Sequence, residues 1–395
     1  MIKILFCVLV LFSNSSVFAS SFFYPESYNE GKSRFLKNAK ILSSKYKNLE
    51  IGSIDVDSLT VDYFYLPALI KNKSLLVVSS GTHGPEGYLG SAIQAQFIES
   101  QLEKTNIDEM GILFIHGVNP WGFANNRRGT INNVNMNRNF SLSSNIFNSK
   151  NEDYLKMAHH LEVKEPIGST FNIPAMGLLK EMLFTKGVNL QSLTIAIGKG
   201  QYTNEKGINY GGRSFETQTP ALIKLLKRVT LLYKKIIHFD LHTGLGDRGV
   251  LHIMTSQNIS KSSAKCLSSV FQTDIDKDNY ALTPPNSKGF YEIHGNFADI
   301  IFKLNKKQDK IILGVTAEFG TLGKGLVGKV KTINRLIREN RGFFYGYANR
   351  EAEKEIKNDY LELFNPSSTK WRKESLAKAR YILEVNLKRF LNYQI

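Results

Sequence analysis

His83 and Glu86 stand three residues apart in Gly81-Thr82-His83-Gly84-Pro85-Glu86-Gly87, at a turn that opens a helix, so both can converge on one point. An imidazole nitrogen and a carboxylate oxygen are ordinary zinc donors. The pair also fits a plain loop histidine and a helix N-terminal glutamate that complements the macrodipole. A second chemical stretch is Asp240-Leu241-His242-Thr243-Gly244. Strand alternation puts Asp240 and His242 on one face and Leu241 on the other, so His242 is a candidate third ligand; a polar strand terminus is the alternative. Glu318 follows the apolar run IILGV. A carboxylate at the mouth of a buried strand is costly unless paired in a salt bridge or used, and a general base of metal-assisted hydrolysis would use it. The fourth stretch runs from Asn119-Pro120-Trp121-Gly122-Phe123 through Arg127-Arg128 to Asn137-Arg138-Asn139-Phe140. Guanidinium groups fix carboxylates in two-point contacts and stabilise developing oxyanions. A solvated basic loop would contain the same residues.

Elements must bring these stretches together. Short apolar runs read as strands at 49–54, 60–66, 74–80, 111–117, 234–243, 249–256 and 310–319. Helical patterns lie at 27–47, from Gly87 onward, and near 151–162, 173–186, 216–233, 325–350 and 371–393. Apolar strands alternating with helices predict an α/β fold with one mixed, mostly parallel central sheet flanked by helices. In such sheets, ligands sit beyond the carboxyl ends of strands, where His83, His242 and Glu318 fall.

The chain has 395 residues, 42% apolar and 22% charged, which excludes wholesale disorder. Only Cys7 and Cys266 occur, too few for a disulfide scaffold or a zinc module built on several cysteines. Lys3, the apolar run 4–12 and Val17-Phe18-Ala19 form a signal-peptide pattern over residues 1–19, predicting an exported protein, periplasmic or secreted. Nine apolar residues are too few to span a bilayer, and no other stretch predicts a membrane span. The formal charge of +16 is spread from Lys32 to Lys388 without an interleaved aromatic patch, so nucleic acid is not expected as a partner. The remainder, 20–395, reads as one domain with a helical extension at about 351–395.

Taken together, HGPEG, NPWGF, RR, NMNRNF, DLHTGLG and TAEFGT resemble the M14-type zinc carboxypeptidase superfamily. They resemble most closely its bacterial M14-like branch DUF2817, over residues 27 to about 350. The stretch GKGQYTNEKGINYGG, 198–212, also looks particular to that branch. The resemblance implies a carboxypeptidase-like fold, one zinc ion per chain, and hydrolysis of an amide next to a free carboxylate in a small peptide or acyl-amino acid. It implies His83, Glu86 and His242 as zinc ligands and Glu318 as the base that deprotonates water and returns the proton to the leaving amine. Arg128 or Arg127 would polarise the scissile carbonyl, and Asn137 with Arg138 would receive the substrate carboxylate. Relatives commonly carry Asp two residues before that pair, orienting the first zinc histidine; here the position is Asn135, which brings no charge and predicts weaker metal retention. Asp240 is a further candidate partner for a ligand histidine. Tyr210, in the 198–212 stretch, offers a phenol to a substrate if that stretch is a flap, and an ordinary turn-rich loop is the alternative. An N-acyl-amino-acid or envelope-amide deacylase, and a non-catalytic binding protein using the same cleft, remain open as alternatives. Nothing in the sequence reports an oligomeric state.

Gly244 to Gly249 fits GxGxxG, but a strand pattern follows where a dinucleotide site needs a helix. His116 ends a strand near the predicted site and is a further candidate for supporting it; His238 and His252 read as packing residues, and His159-His160 as helix surface.

Overall fold

The computed structural model describes residues 22–70, 72–168, 190–255, 259–283, 294–306, 309–323 and 325–394. The signal-peptide pattern over 1–19 and the helix expected near 173–186 lie outside the described residues.

An eight-stranded sheet has the order β1 (Glu50–Val56), β2 (Leu59–Leu66), β4 (Met110–His116), β3 (Asn72–Ser79), β5 (Tyr233–Gly244), β8 (Ile311–Gly320), β6 (Leu251–Thr255) and β7 (Ala281–Thr283). The four central strands β4, β3, β5 and β8 run parallel. Antiparallel pairs β1–β2, β2–β4 and β8–β6 flank them, and β7 is a short parallel edge to β6 that the sequence reading lacked.

Helices cover both faces, so the middle of each central strand is largely apolar and its two parities feed two cores. Leu76 and Val78 of β3 join Ile237, Phe239 and Leu241 of β5 and Leu313, Val315 and Ala317 of β8 against the helices Tyr28–Lys45 and Gly87–Ser100. Leu75 and Val77 join Ile236 and Ile312 against the helices Gln218–Thr230 and Phe297–Asn305. This alternation aims the chemistry. Asp240 and His242 have the parity of Ile236, and Glu318 that of Ile312, so all three lie on the second face; His242 is the direct register partner of Glu318. His116 has the opposite parity, that of Ile112 and Phe114. It stacks on Phe35 in the other layer, with ring centroids 5.1 Å apart, and hydrogen-bonds Ser91 Oγ at 2.6 Å. The expectation that His116 supports the site is therefore corrected.

The C-terminal segment is part of this core. Trp371, Leu376, Ala379, Ile382, Leu383, Leu387 and Phe390 pack against the first face. Lys235 of β5 donates to the carbonyls of Phe390, Leu391 and Tyr393 at 3.0, 2.9 and 2.8 Å, satisfying groups that a helix end leaves open.

Candidate metal centre

Gly81, at φ +69°, turns the chain out of β3, and Gly84-Pro85-Glu86 forms one 3-10 turn before the helix Gly87–Ser100. Gly84 is needed there because a Cβ would sit 2.0 Å from the carbonyl carbon of Gly122 and 2.3 Å from the Arg127 oxygen. That close approach locks the HGPEG turn to the loop carrying Arg127 and Arg128. His83 and Glu86 emerge on the same side as His242, at the end of neighbouring β5.

The donor atoms of these three residues lie within 4.8 Å of one another, and all three residues are buried. His83 Nδ1 is 2.9 Å from Glu86 Oε1, His242 Nδ1 is 2.7 Å from Glu86 Oε2, and the two Nδ1 atoms are 3.2 Å apart. Both rings are turned by their outer nitrogens. His83 Nε2 donates to Asn135 Oδ1 at 3.0 Å, and His242 Nε2 donates to Asp240 Oδ2 at 2.7 Å. Asn135 Oδ1 also accepts from the Asn137 amide at 2.9 Å, while Asn135 Nδ2 donates to Asn209 Oδ1 at 3.0 Å, which fixes the orientation of the amide. With Nε2 carrying hydrogen on both rings, two Nδ1 lone pairs and a carboxylate face one point. Three converging acceptors require a cation, proton or metal, among them, and two imidazoles with a carboxylate suit a divalent ion.

The charges agree with that geometry. Burial alone would raise the Glu86 carboxyl, but His83 and His242 hold it well below the usual range. Burial and the Arg128 guanidinium push His83 down to about 4. Burial also works against a charged His242, yet Asp240 and Glu86 outweigh it and hold the ring protonated well above the ordinary histidine range. A metal ion must displace that proton, so uptake weakens as pH falls. Glu318 is 8% exposed; burial and the Glu86 carboxylate push it up to about 7, while His242, the Leu245 amide and Arg128 pull it down. Its Oε1 accepts from the Leu245 amide at 2.8 Å, which orients the carboxylate.

The two arginines diverge. Arg128 enters the site, with Nη1 donating to Glu86 Oε1 at 2.8 Å, Nε to Asn209 Oδ1 at 3.3 Å, and its guanidinium carbon 5.4 Å from the Phe364 ring centre. Arg127 points away and is 5% exposed, with Nε on Glu339 Oε1 at 2.7 Å and the guanidinium 3.5 Å over the Phe343 ring. Asn137 and Arg138 are committed to the fold. Asn137 Oδ1 accepts from the Phe297 amide at 2.8 Å; Arg138 donates to the carbonyls of Lys199 at 3.1 Å, Asn137 at 2.8 Å, and Gly198. Arg138 thus closes the end of the helix Leu190–Lys199, a contact that competes with receiving a carboxylate. Tyr210 contributes its carbonyl, which accepts from the Asn135 amide at 2.6 Å, while Arg213 and Glu205 act on its phenol rather than any ligand residue.

Tyr360 and Phe364 complete the site from a helix that carries no motif. Tyr360 OH accepts from the Arg128 amide at 3.1 Å, and Thr243 Oγ1 donates to the Phe364 carbonyl at 2.5 Å, so the helix Arg350–Phe364 walls the centre. Asn209 holds both Asn135 and Arg128, and its φ of 53° suits asparagine. The hydroxyls of Ser79, Thr82 and Thr243 and the amide of Asn209 lie in or beside the motifs of the sequence.

Asn135→Asp brings a negative charge behind His83 but sets a carboxylate oxygen against Asn209 Oδ1. The charge is worth ~10–100-fold in metal affinity, and the lost amide contact returns roughly 1 kcal/mol of it, about fivefold. The expected outcome is metal binding tighter by about two- to twentyfold, read by competition titration of the stripped protein. Equal or weaker binding contradicts it.

A family model described as "Protein of unknown function (DUF2817)" matches residues 24–378. Among solved structures, bovine thrombin-activatable fibrinolysis inhibitor in complex with tick carboxypeptidase inhibitor is 15% identical over 86% of this chain and 96% of that one, with a TM-score of 0.45. Carboxypeptidase A from Helicoverpa armigera is 12% identical over 86% and 74%, with a TM-score of 0.47. No curated protein matches. Likeness at this level carries no argument about chemistry, which rests on the side chains above. The family match runs from the first buried tyrosine to the C-terminal helices, and the chain belongs to the DUF2817 family.

Proposed function

We propose that the protein is a zinc-dependent amidohydrolase, carboxypeptidase-like, that cleaves an amide or peptide bond next to a free carboxylate. The observation that carries this reading is the convergence of His83 Nδ1, Glu86 and His242 Nδ1 beside the carboxylate of Glu318. His83, Glu86 and His242 would hold one ion, which when bound supplies Lewis-acid polarisation and makes water more acidic. Glu318 then takes a proton from the attacking water at Oε2, because Oε1 is held by the Leu245 amide, and returns it to the leaving nitrogen. Arg128, supported by Phe364, donates to the oxygen on which charge develops. Burial of the centre excludes bulk water and strengthens each of these contacts.

The engagement of Arg138 with three backbone carbonyls favours a variant of the reading, in which the substrate is an envelope amide without a free carboxylate rather than a peptide or N-acyl amino acid held by one. We assign the protein to the periplasm or the exterior on its N-terminal pattern; among the described residues no helix is long and apolar enough to cross a membrane.

The test is metal analysis of the purified protein, followed by a screen of peptides with free or amidated C-termini, N-acyl amino acids and cell-wall amides. One zinc per chain with turnover supports the proposal. Cleavage that survives C-terminal amidation selects the envelope-amide variant. Metal without turnover selects a binding protein, and failure to take up metal sinks every version.

A further inference from the structure

We propose that the metal is held asymmetrically: a buried hydrogen-bonded line, His238–Ser79–Asp240, makes His242 the ligand that retains the ion and leaves His83 the weaker one. This rests on the metal-site reading above and extends it to residues outside the ligand set.

The line has a fixed direction. Ser79 Oγ donates its one hydrogen to Asp240 Oδ1 at 2.5 Å, so its contact with His238 Nε2 at 2.8 Å has the imidazole as donor. Thr82 Oγ1 also donates to Asp240 Oδ1, at 2.9 Å, and His242 Nε2 donates to Oδ2 at 2.7 Å. Every partner of Asp240 is a donor, the arrangement a carboxylate needs and a neutral acid would waste. Asp240, Ser79, Thr82 and His238 are fully buried. A carboxylate without water keeps its charge only through such donors and a nearby cation. The full negative charge behind His242 therefore increases the electron density available at its Nδ1.

His83 is backed differently. Its Nε2 ends on the neutral oxygen of Asn135, which is shared with the Asn137 amide. Strand register explains the difference: Ser79 and Asp240 are direct partners on β3 and β5, on the same face as His242. The acid, its hydroxyl and the ligand are thus set by three adjacent sheet positions, whereas Asn135 is delivered by a loop.

Zinc and cobalt affinities of the stripped full-length protein test this, with unfolding of the metal-free form followed in parallel. Asp240→Asn should weaken binding ~10–100-fold, because an amide facing His242 and two hydroxyl donors must place its NH2 against a donor or force the wrong tautomer. Ser79→Ala should weaken it about three- to tenfold beside a loss of metal-free stability, and Ser79→Thr should restore both. Asn135→Leu should cost several-fold less than Asp240→Asn, because it removes a neutral acceptor and not a charge. As a second measure, His83→Gln should keep more cobalt affinity, and a d–d spectrum closer to wild type, than His242→Gln. Equal losses on the two sides, or larger ones at Asn135 and His83, overturn the asymmetry while leaving the metal site standing. Absence of metal uptake by the wild-type protein overturns the site itself.

Discussion

Glu318→Gln is expected to lower turnover ~10²–10⁴-fold while the protein still binds one metal ion per chain. The carboxylate sits opposite His242 in the β5–β8 register, and its Oε1 is held by the Leu245 amide. Glutamine keeps the shape and the capacity to accept from Leu245 but cannot take a proton, so the loss falls on chemistry and not on the fold. The pH dependence follows from the same environment. Burial and Glu86 push Glu318 up to about 7. A cation held by the three donors adds positive charge next to this carboxyl and lowers its pKa. Activity that needs the ionised form is lost as pH falls, so the acid limb of the kcat/KM profile is expected below 7. Measured with whichever amide the screen yields, a variant that retains both turnover and the acid limb would remove Glu318 from its role.

What the sequence made legible was governed by alternation. In β3, β5 and β8 one residue's parity sets its face, so Asp240 sharing a face with His242 follows from a strand that its apolar run already announces, whereas His242 standing opposite Glu318 is set by the β5–β8 register. The same alternation in β4 puts His116 with Ile112 and Phe114 in the opposite layer, so nearness to a strand end does not by itself bring a side chain to the site. The loop between 117 and 140 obeys no such rule. Its residues are placed by contacts from far along the chain: Glu339 on Arg127, Asn209 on Asn135 and Arg128, Tyr360 and Phe364 on Arg128, and the carbonyls of Gly198 and Lys199 on Arg138. Those partners are separated from the loop by 60 to 236 residues. The helix Arg350–Phe364 reads as an appendage for the same reason, since the tyrosine and phenylalanine that wall the site sit at spacings any amphipathic helix would show.

Arg128 and Arg127 should therefore separate catalysis from stability. Arg128→Gln is expected to cost ~10²–10³ in turnover, the value of one donor aimed at a developing oxyanion, with metal retained and thermal stability nearly unchanged. Its side chain is 23% exposed, and Glu86, 1% exposed, keeps His242 and His83 as partners when the guanidinium is removed, so no buried charge is left uncompensated. Arg127 is the reverse case. Its guanidinium and Glu339 are 6% and 8% exposed at 2.7 Å, and removing one partner leaves a buried charge uncompensated. Arg127→Gln should lose about 3–5 kcal/mol of unfolding free energy, visible as a lower melting temperature. Its turnover, measured well below that temperature, should fall far less than that of Arg128→Gln, because Arg127 reaches the site only through the backbone it anchors. Glu339→Gln gives an independent reading, since it should destabilise in the same way without touching any group near the metal. If Arg127→Gln instead abolished turnover at unchanged melting temperature, and Arg128→Gln did not, the guanidinium seen on Glu86 would not be the one that meets the substrate.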